Sequence, residues 1–306
     1  MKNIHDAEGT RYIPKTYLIE IGAISAFHKS IIINDKINEQ NHVLDTQKSH
    51  IVTPPTFSRL LKPGKFENEI ENPYTDRLDG SSEWHYFTQI TPGDIITVFG
   101  KISDVKIRNG SLGDMCIVTS KFNYVNQRKE TTCTQINTII YYKFSITKQI
   151  KMSSKSTALP PNPLLHSTIT NLSSLNIGDI IPSLIKQPST QQLVMYAGAS
   201  RDFYQVHYDQ AFAKTIGLPK VIVHGALKSA FLGQMITNFI DQSADLTRLF
   251  VRYNKIDFEG YAITCKGAIK NISTAIDSKK IVDCNIWIEN TEGKKTTQGT
   301  ATFKIN

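Results

Sequence analysis

The segment Gly198-Ala-Ser-Arg-Asp202-Phe-Tyr-Gln-Val-His207-Tyr-Asp209 decides how the rest of the chain is read. A carboxylate and an imidazole stand five positions apart in a stretch too broken to be helix or strand. Just before it, Ser189-Thr190 can cap a helix running through Leu193, Val194 and Tyr196. Asp209 can cap a short helix over 209–216. Seventeen residues after His207, His224-Gly225 opens an apolar run to about Ile240. Leu227, Ala230, Phe231, Met235 and Phe239 recur there at a spacing near 3.6, which predicts a long core helix. An acid and a base thus sit on a loop between helices, beside a helix start whose free N–H groups attract negative charge.

Outward from this segment the chain repeats itself. Pro92-Gly-Asp-Ile-Ile-Thr-Val-Phe-Gly100 resembles Glu259-Gly-Tyr-Ala-Ile-Thr-Cys-Lys-Gly267 at an offset of 167, and the same offset carries Asp35 onto Asp202. In the first half a helix is expected from Glu20 to Ser30 and a helical turn or two from Thr53-Pro-Pro-Thr-Phe57, cut short at Pro63-Gly64. Strand-like runs rich in Ile, Val, Thr, Tyr and Phe follow at 83–90, 94–108, 113–126 and 131–144. After the long helix of the second half, such runs cover 247–257, 260–273, 280–290 and 296–305. Trp84-His-Tyr-Phe87 reads as sheet packing. Each half is therefore an α+β unit of helices followed by antiparallel strands. The expected domains are 1–150 and 166–306, joined by a Ser-, Lys- and Pro-rich linker at 151–165.

Composition narrows the function classes. The net charge is +8, but its lysines are scattered, so no nucleic-acid surface is expected. Such basicity suits an acidic partner such as the phosphates of coenzyme A or an acidic carrier protein. No apolar run is long enough to span a bilayer, and the N-terminus lacks the core of a signal peptide. A cytoplasmic chain without a membrane partner is expected. Cys116, Cys133, Cys265 and Cys284 are isolated and read as buried strand thiols. His28, His42, His50, His85 and His166 show no metal-ligand grouping, and Asp202, His207 and Asp209 are not read as a metal site.

The segment from Tyr196 to Asp209, with His224-Gly225 behind it, resembles the hydratase 2 motif of MaoC-like dehydratases, and the first half resembles the N-terminal half of their two-domain members. The resemblance implies a double hot-dog fold: two antiparallel sheets, each wrapped around a central helix. It implies reversible hydration of 2-enoyl thioesters to (R)-3-hydroxyacyl thioesters on coenzyme A or an acyl carrier protein, without a metal or redox cofactor. Asp202 and His207 fall on the catalytic pair. The family's usual Gly-Asp-x-Asn-Pro differs here, with Arg201 in place of Gly and Tyr204-Gln205 in place of Asn-Pro. Gln40 stands where a histidine would follow Asp35, so the first half reads as catalytically degenerate and as a shaper of the acyl pocket. Two-domain relatives shorten the central helix of that half, and the short run after Thr53 fits a wide tunnel for a long or bulky acyl group.

The chemistry needs a water held at C3, a proton for C2 and a donor for the thioester oxygen. An imidazole titrating near neutrality and a carboxylate beside it meet the first two needs; which of them is the base is open. Gly225 is the candidate backbone donor, because glycine lets a ligand approach closely. His224 is expected to hydrogen-bond the loop, and His224 and Tyr204 to contribute with Gly225 to substrate binding. Two alternatives remain: a hot-dog acyl thioesterase, with Asp202 activating water against the carbonyl, and a non-catalytic acyl-thioester-binding subunit. A double hot dog satisfies within one chain the edge pairing that single units seek from a partner, so a monomer or a homodimer is expected.

Overall fold

The computed structural model describes residues 2–32, 53–110, 113–143 and 172–306. The expected linker, Asp35 and Gln40 lie outside them. After the short strand β1 (Lys2–Asn3), the first half runs β2 (Arg11–Leu18), α1 (Ile21–Ile32), β3 (Ile70–Glu71), β4 (Asp76–Tyr86), β5 (Ile95–Gly110), β6 (Gly113–Val125) and β7 (Thr131–Tyr142). The second half runs β8 (Ile180–Lys186), α2 (Thr190–Ser200), α3 (Gln210–Thr215), α4 (Gly225–Ile240), β9 (Ala244–Tyr253), β10 (Ile263–Thr274), β11 (Lys280–Asn290) and β12 (Lys295–Ile305).

Ten of these strands form one sheet in the order β2-β5-β6-β7-β4-β9-β12-β11-β10-β8. Taken from its outer edge, each half repeats the same internal order, first, third, fourth, fifth and second strand, so the halves meet second strand to second strand. This is a double hot-dog fold, and the inter-unit pairing is made within one chain. The seam is antiparallel, running from Ser81 opposite Arg252 to His85 opposite Arg248. Trp84 and Leu249 face each other there and are fully buried. The duplicated glycines have duplicated jobs. Gly93 (φ 87°) and Gly260 (φ 79°) each turn the chain into β5 or β10, in a left-handed conformation that glycine adopts without cost.

Helix α4 is buried on nearly every face, as expected of a helix at the centre of a wrapped sheet. It packs on β8, β9, β10 and β11, and its start reaches β4 across the seam. The first half has no counterpart among the described residues: only a 3-10 turn at Phe57–Leu60, then irregular chain. The halves also lock at their helices. Lys186 Nζ donates to Ile31 O (3.1 Å) and Gln192 Nε2 to Ser30 O and Ile31 O (3.0 Å each), satisfying the last carbonyls of α1 from the second half.

Most expected elements are present with ends shifted by a few residues. Three departures are informative. β2 and β8 were not anticipated; both carry a proline, Pro14 and Pro182, which suits the sheet edges where they lie. β4 begins at Asp76, seven residues before the predicted run at 83, because Asp76-Arg-Leu-Asp-Gly-Ser-Ser82 looks like a loop yet pairs with β7 along its length. Phe87, expected in the sheet, lies beyond β4 and is exposed, whereas Trp84 packs as expected and donates to Ser58 Oγ (3.0 Å). All four cysteines are buried, none in a disulfide.

The close approach of β12 to β9 gives a direct test. A Cβ added at Gly299 would sit 1.9 Å from Phe250 O. Gly299→Ala is expected to cost more than about 3 kcal/mol, since backbone cannot yield as a side-chain tip can. Chemical denaturation of the two proteins measures it; a loss under 1 kcal/mol (about fivefold in the folding constant) contradicts the packing.

Candidate active site

Asp202 and His207 lie on the loop between α2 and α3. Helix α2 is capped at its start by Ser189, whose side chain accepts from Gln192 N (3.2 Å). It ends at Arg201 in a left-handed turn (φ 56°, ψ 32°), and Asp202 N donates back to Ala197 O (3.1 Å). This is the position where the resembled family carries glycine. An arginine there bears a backbone strain of about 1–2 kcal/mol, and its guanidinium lies over the Tyr17 ring at 5.7 Å. The departure from the motif is therefore absorbed by the expected turn. Asp209 then caps α3 by accepting from Phe212 N (3.0 Å), as the sequence predicts.

Three side chains converge. One ligand-type atom from each of Asp202, His207 and His224 lies within 4.8 Å of the others. His207 Nδ1 is 2.9 Å from Ile222 O. A carbonyl only accepts, so Nδ1 carries the proton and the Nε2 lone pair is free. His224 Nε2 donates in the same way to Asp202 O (3.3 Å), tying the start of α4 to the loop. The two imidazoles stack at 3.7 Å with planes 22° apart. Tyr196 packs edge-on to His224 at 5.1 Å.

The electrostatics set the charge of each partner. Burial pushes His207 below its ordinary 6.5, more strongly than Asp202 pulls it back up. Burial and His207 push His224 lower still. Burial alone would raise Asp202, but His207, His224, Lys62 and Arg59 outweigh it and hold it at about 2. The site thus offers a neutral imidazole beside a carboxylate.

The nitrogens not engaged with carbonyls are His207 Nε2 and His224 Nδ1.

The remaining expected site residues are present in other roles. Tyr204 directs its hydroxyl across the seam to Asp76 Oδ1 (3.2 Å), and its ring lies edge-on to His207 at 6.1 Å. Gly225 begins α4, but the room above it is already taken. A Cβ there would meet Asp79 Cβ and Oδ2 at 3.3 Å and the Tyr253 ring at 3.4 Å. The close approach expected of a ligand is made by a first-half carboxylate, which the positive end of α4 attracts.

The sequence reading missed what the first half contributes. Arg59, on the turn that stands where a second central helix would run, binds Asp79 through Nη2 (3.1 and 3.3 Å) and Asn137 Oδ1 through Nη1 (2.9 Å). Ser82 Oγ also donates to Asn137 Oδ1 (2.7 Å), and Tyr253 OH donates to Ser82 Oγ (3.2 Å). The tract Ser58-Arg-Leu-Leu-Lys62 held the one available signal, two cations flanking a leucine pair just before Pro63-Gly64.

Family matches agree with this geometry. Residues 6–135 match the FAS1-like dehydratase domain region, and residues 167–286 match the MaoC like domain. The chain belongs to the MaoC-like dehydratases, in their two-domain form. No curated protein sequence matches it. Among solved structures, a MaoC-like dehydratase is similar at TM-score 0.71 and 20% identity, over 98% of this chain and 98% of that one. The full-length peroxisomal multifunctional enzyme type 2 from Drosophila melanogaster is similar at TM-score 0.64 and 16% identity, over 96% of this chain and 48% of that one. A Mycobacterium tuberculosis protein described as having a double hot-dog fold is similar at TM-score 0.61 and 9% identity, over 97% of this chain and 96% of that one.

The buried imidazoles predict a pH dependence of stability. Their folded pKa values lie below the ordinary 6.5, so below that pH the unfolded chain binds more protons and stability falls. Thermal melts from neutral to mildly acidic pH are expected to show the drop, and His224→Gln is expected to flatten it. Parallel slopes in the two proteins contradict the assignment.

Proposed function

We propose that the protein is a hydro-lyase that reversibly hydrates 2-enoyl thioesters to (R)-3-hydroxyacyl thioesters, carried on coenzyme A or an acyl carrier protein. The observation that carries this reading is the commitment of His207 Nδ1 to Ile222 O. It leaves the Nε2 lone pair beside the Asp202 carboxylate. A water held between them loses a proton to Nε2 as its oxygen bonds to C3 of the enoyl group. The C2–C3 π pair moves toward the thioester. The imidazolium, stabilised by Asp202, then returns a proton to C2. The reverse sequence is dehydration. Proton transfers suffice, so this reading includes no metal or redox cofactor. The R configuration rests on the family alone.

The second half carries the one active site per chain in this reading, since Gln40 replaces the first half's histidine. Seam pairing of β4 with β9 already joins two hot-dog units, which suits a monomer and leaves further dimerisation to the outer edges. Among the described residues no helix is long and apolar enough to cross a membrane.

Incubation with 2-enoyl-CoA substrates of several chain lengths tests the proposal. Loss of the conjugated enoyl absorbance without release of free thiol is expected. Asp202→Asn and His207→Ala are each expected to lower kcat by about 10²–10⁴-fold, the usual worth of a general acid or base. Free thiol would point to a thioesterase, and binding without turnover to a non-catalytic subunit. Full activity in both variants removes this site from the chemistry.

A further inference from the structure

As negative charge develops on the thioester oxygen during hydration, it needs a donor. The start of α4 is compromised for that task, because the Asp79 side chain fills the space against Gly225. Arg59 is engaged by Asp79 and Asn137 through its two Nη atoms, and its Nε, without a partner, is buried away from the surface. Of the lysine and arginine charges that act on Asp202, Lys62 remains. Lys62 follows the turn at Phe57–Leu60, and its half-buried ammonium has no hydrogen-bonded partner among the described residues. The chain at Lys62 is tied to the catalytic loop. Its carbonyl accepts from Tyr17 OH (2.5 Å), and the Tyr17 ring lies under the guanidinium of Arg201, the residue before Asp202.

We propose, on the functional reading above, that Lys62 is a catalytic residue supplied by the first half of the chain: its ammonium donates a hydrogen bond to the thioester oxygen as the enolate forms. No proton is transferred from it. Water still supplies the hydroxyl at C3 and the proton at C2, and the ammonium releases the oxygen when the carbonyl re-forms. The first half, having lost its own histidine, then provides charge as well as pocket shape.

The surroundings of Lys62 make its charge testable. Arg59, Arg77, Asp79 and Asp202 all act on it, with His207 and His224 behind Asp202. Burial, reinforced by Arg59, lowers its pKa from 10.5 to about 8, while Asp202 and Asp79 resist the fall. A lysine of folded pKa about 8 loses its charge as pH rises through that value.

Steady-state kinetics on 2-enoyl-CoA across pH test the proposal with Lys62→Met and Lys62→Arg, circular dichroism confirming that each folds. Lys62→Met is expected to lower kcat by about 10²-fold, the scale of one lost oxyanion donor, with KM changed less than about threefold. The wild type is expected to lose activity above about pH 8. Lys62→Arg should retain activity and carry it to higher pH, because guanidinium stays charged. An undiminished kcat in Lys62→Met, or an unmoved alkaline limb in Lys62→Arg, overturns the role of Lys62 while leaving hydration by Asp202 and His207 standing. A wild type that turns over no 2-enoyl-CoA overturns the functional reading itself, and this proposal with it.

Discussion

The antiparallel pairing of β4 with β9 is the constraint on which the rest depends. It is short, from Ser81 opposite Arg252 to His85 opposite Arg248. It is nonetheless well sealed. Trp84 and Leu249 are fully buried within it, and Arg248 Nε reaches Glu83 Oε1 at 2.7 Å. Because it joins the second strand of one half to the second strand of the other, each half turns its helical layer toward its neighbour's. That places β4 against the start of α4 and the Phe57–Leu60 turn against α2. Asp79 reaches Gly225, and Tyr204 reaches Asp76, only because this seam sets the distance.

The second consequence concerns charge. Where one half keeps a buried apolar helix, the other carries a short turn bearing Arg59 and then Lys62. A buried arginine is tolerable only when paired, and Asp79 with Asn137 pairs it. Desolvation strengthens every interaction in the cluster, and Lys62 and Arg59 add to His207 and His224 in favouring the ionised form of Asp202. Burial simultaneously keeps His207 neutral. An ionised carboxylate and a neutral imidazole a few ångströms apart follow from one arrangement: a carboxylate in the field of positive charge, and an imidazole whose remaining proton is spent on a carbonyl. Around that turn Arg59, Asp79, Asn137, Ser82 and Tyr253 form a hydrogen-bonded polar group.

Much of the fold was legible because its signals are local. The 3.6-residue pattern after Gly225, the caps at Ser189 and Asp209, and the turn glycines Gly93 and Gly260 each depend on a few neighbouring residues. The illegible strands have identifiable reasons. Pro14 and Pro182 interrupt β2 and β8 and are tolerated because these strands need to pair on one side only. The polar start of β4 has poor strand propensity, yet a central sheet position and side-chain partners for Asp76, Asp79 and Ser82 override it.

Taken alone, the sequence determined the duplicated α+β plan, the Asp202–His207 pair and the helix beginning at Gly225. Those features arise from backbone periodicity, capping and spacing, which act over a few residues. Only the tertiary structure decided the tautomer of His207, the occupation of the space at Gly225 by Asp79, and the influence of the Arg59 and Lys62 charges on Asp202. These depend on burial and on contacts between residues far apart in the chain, such as Asp79 and Gly225, and no local pattern records them.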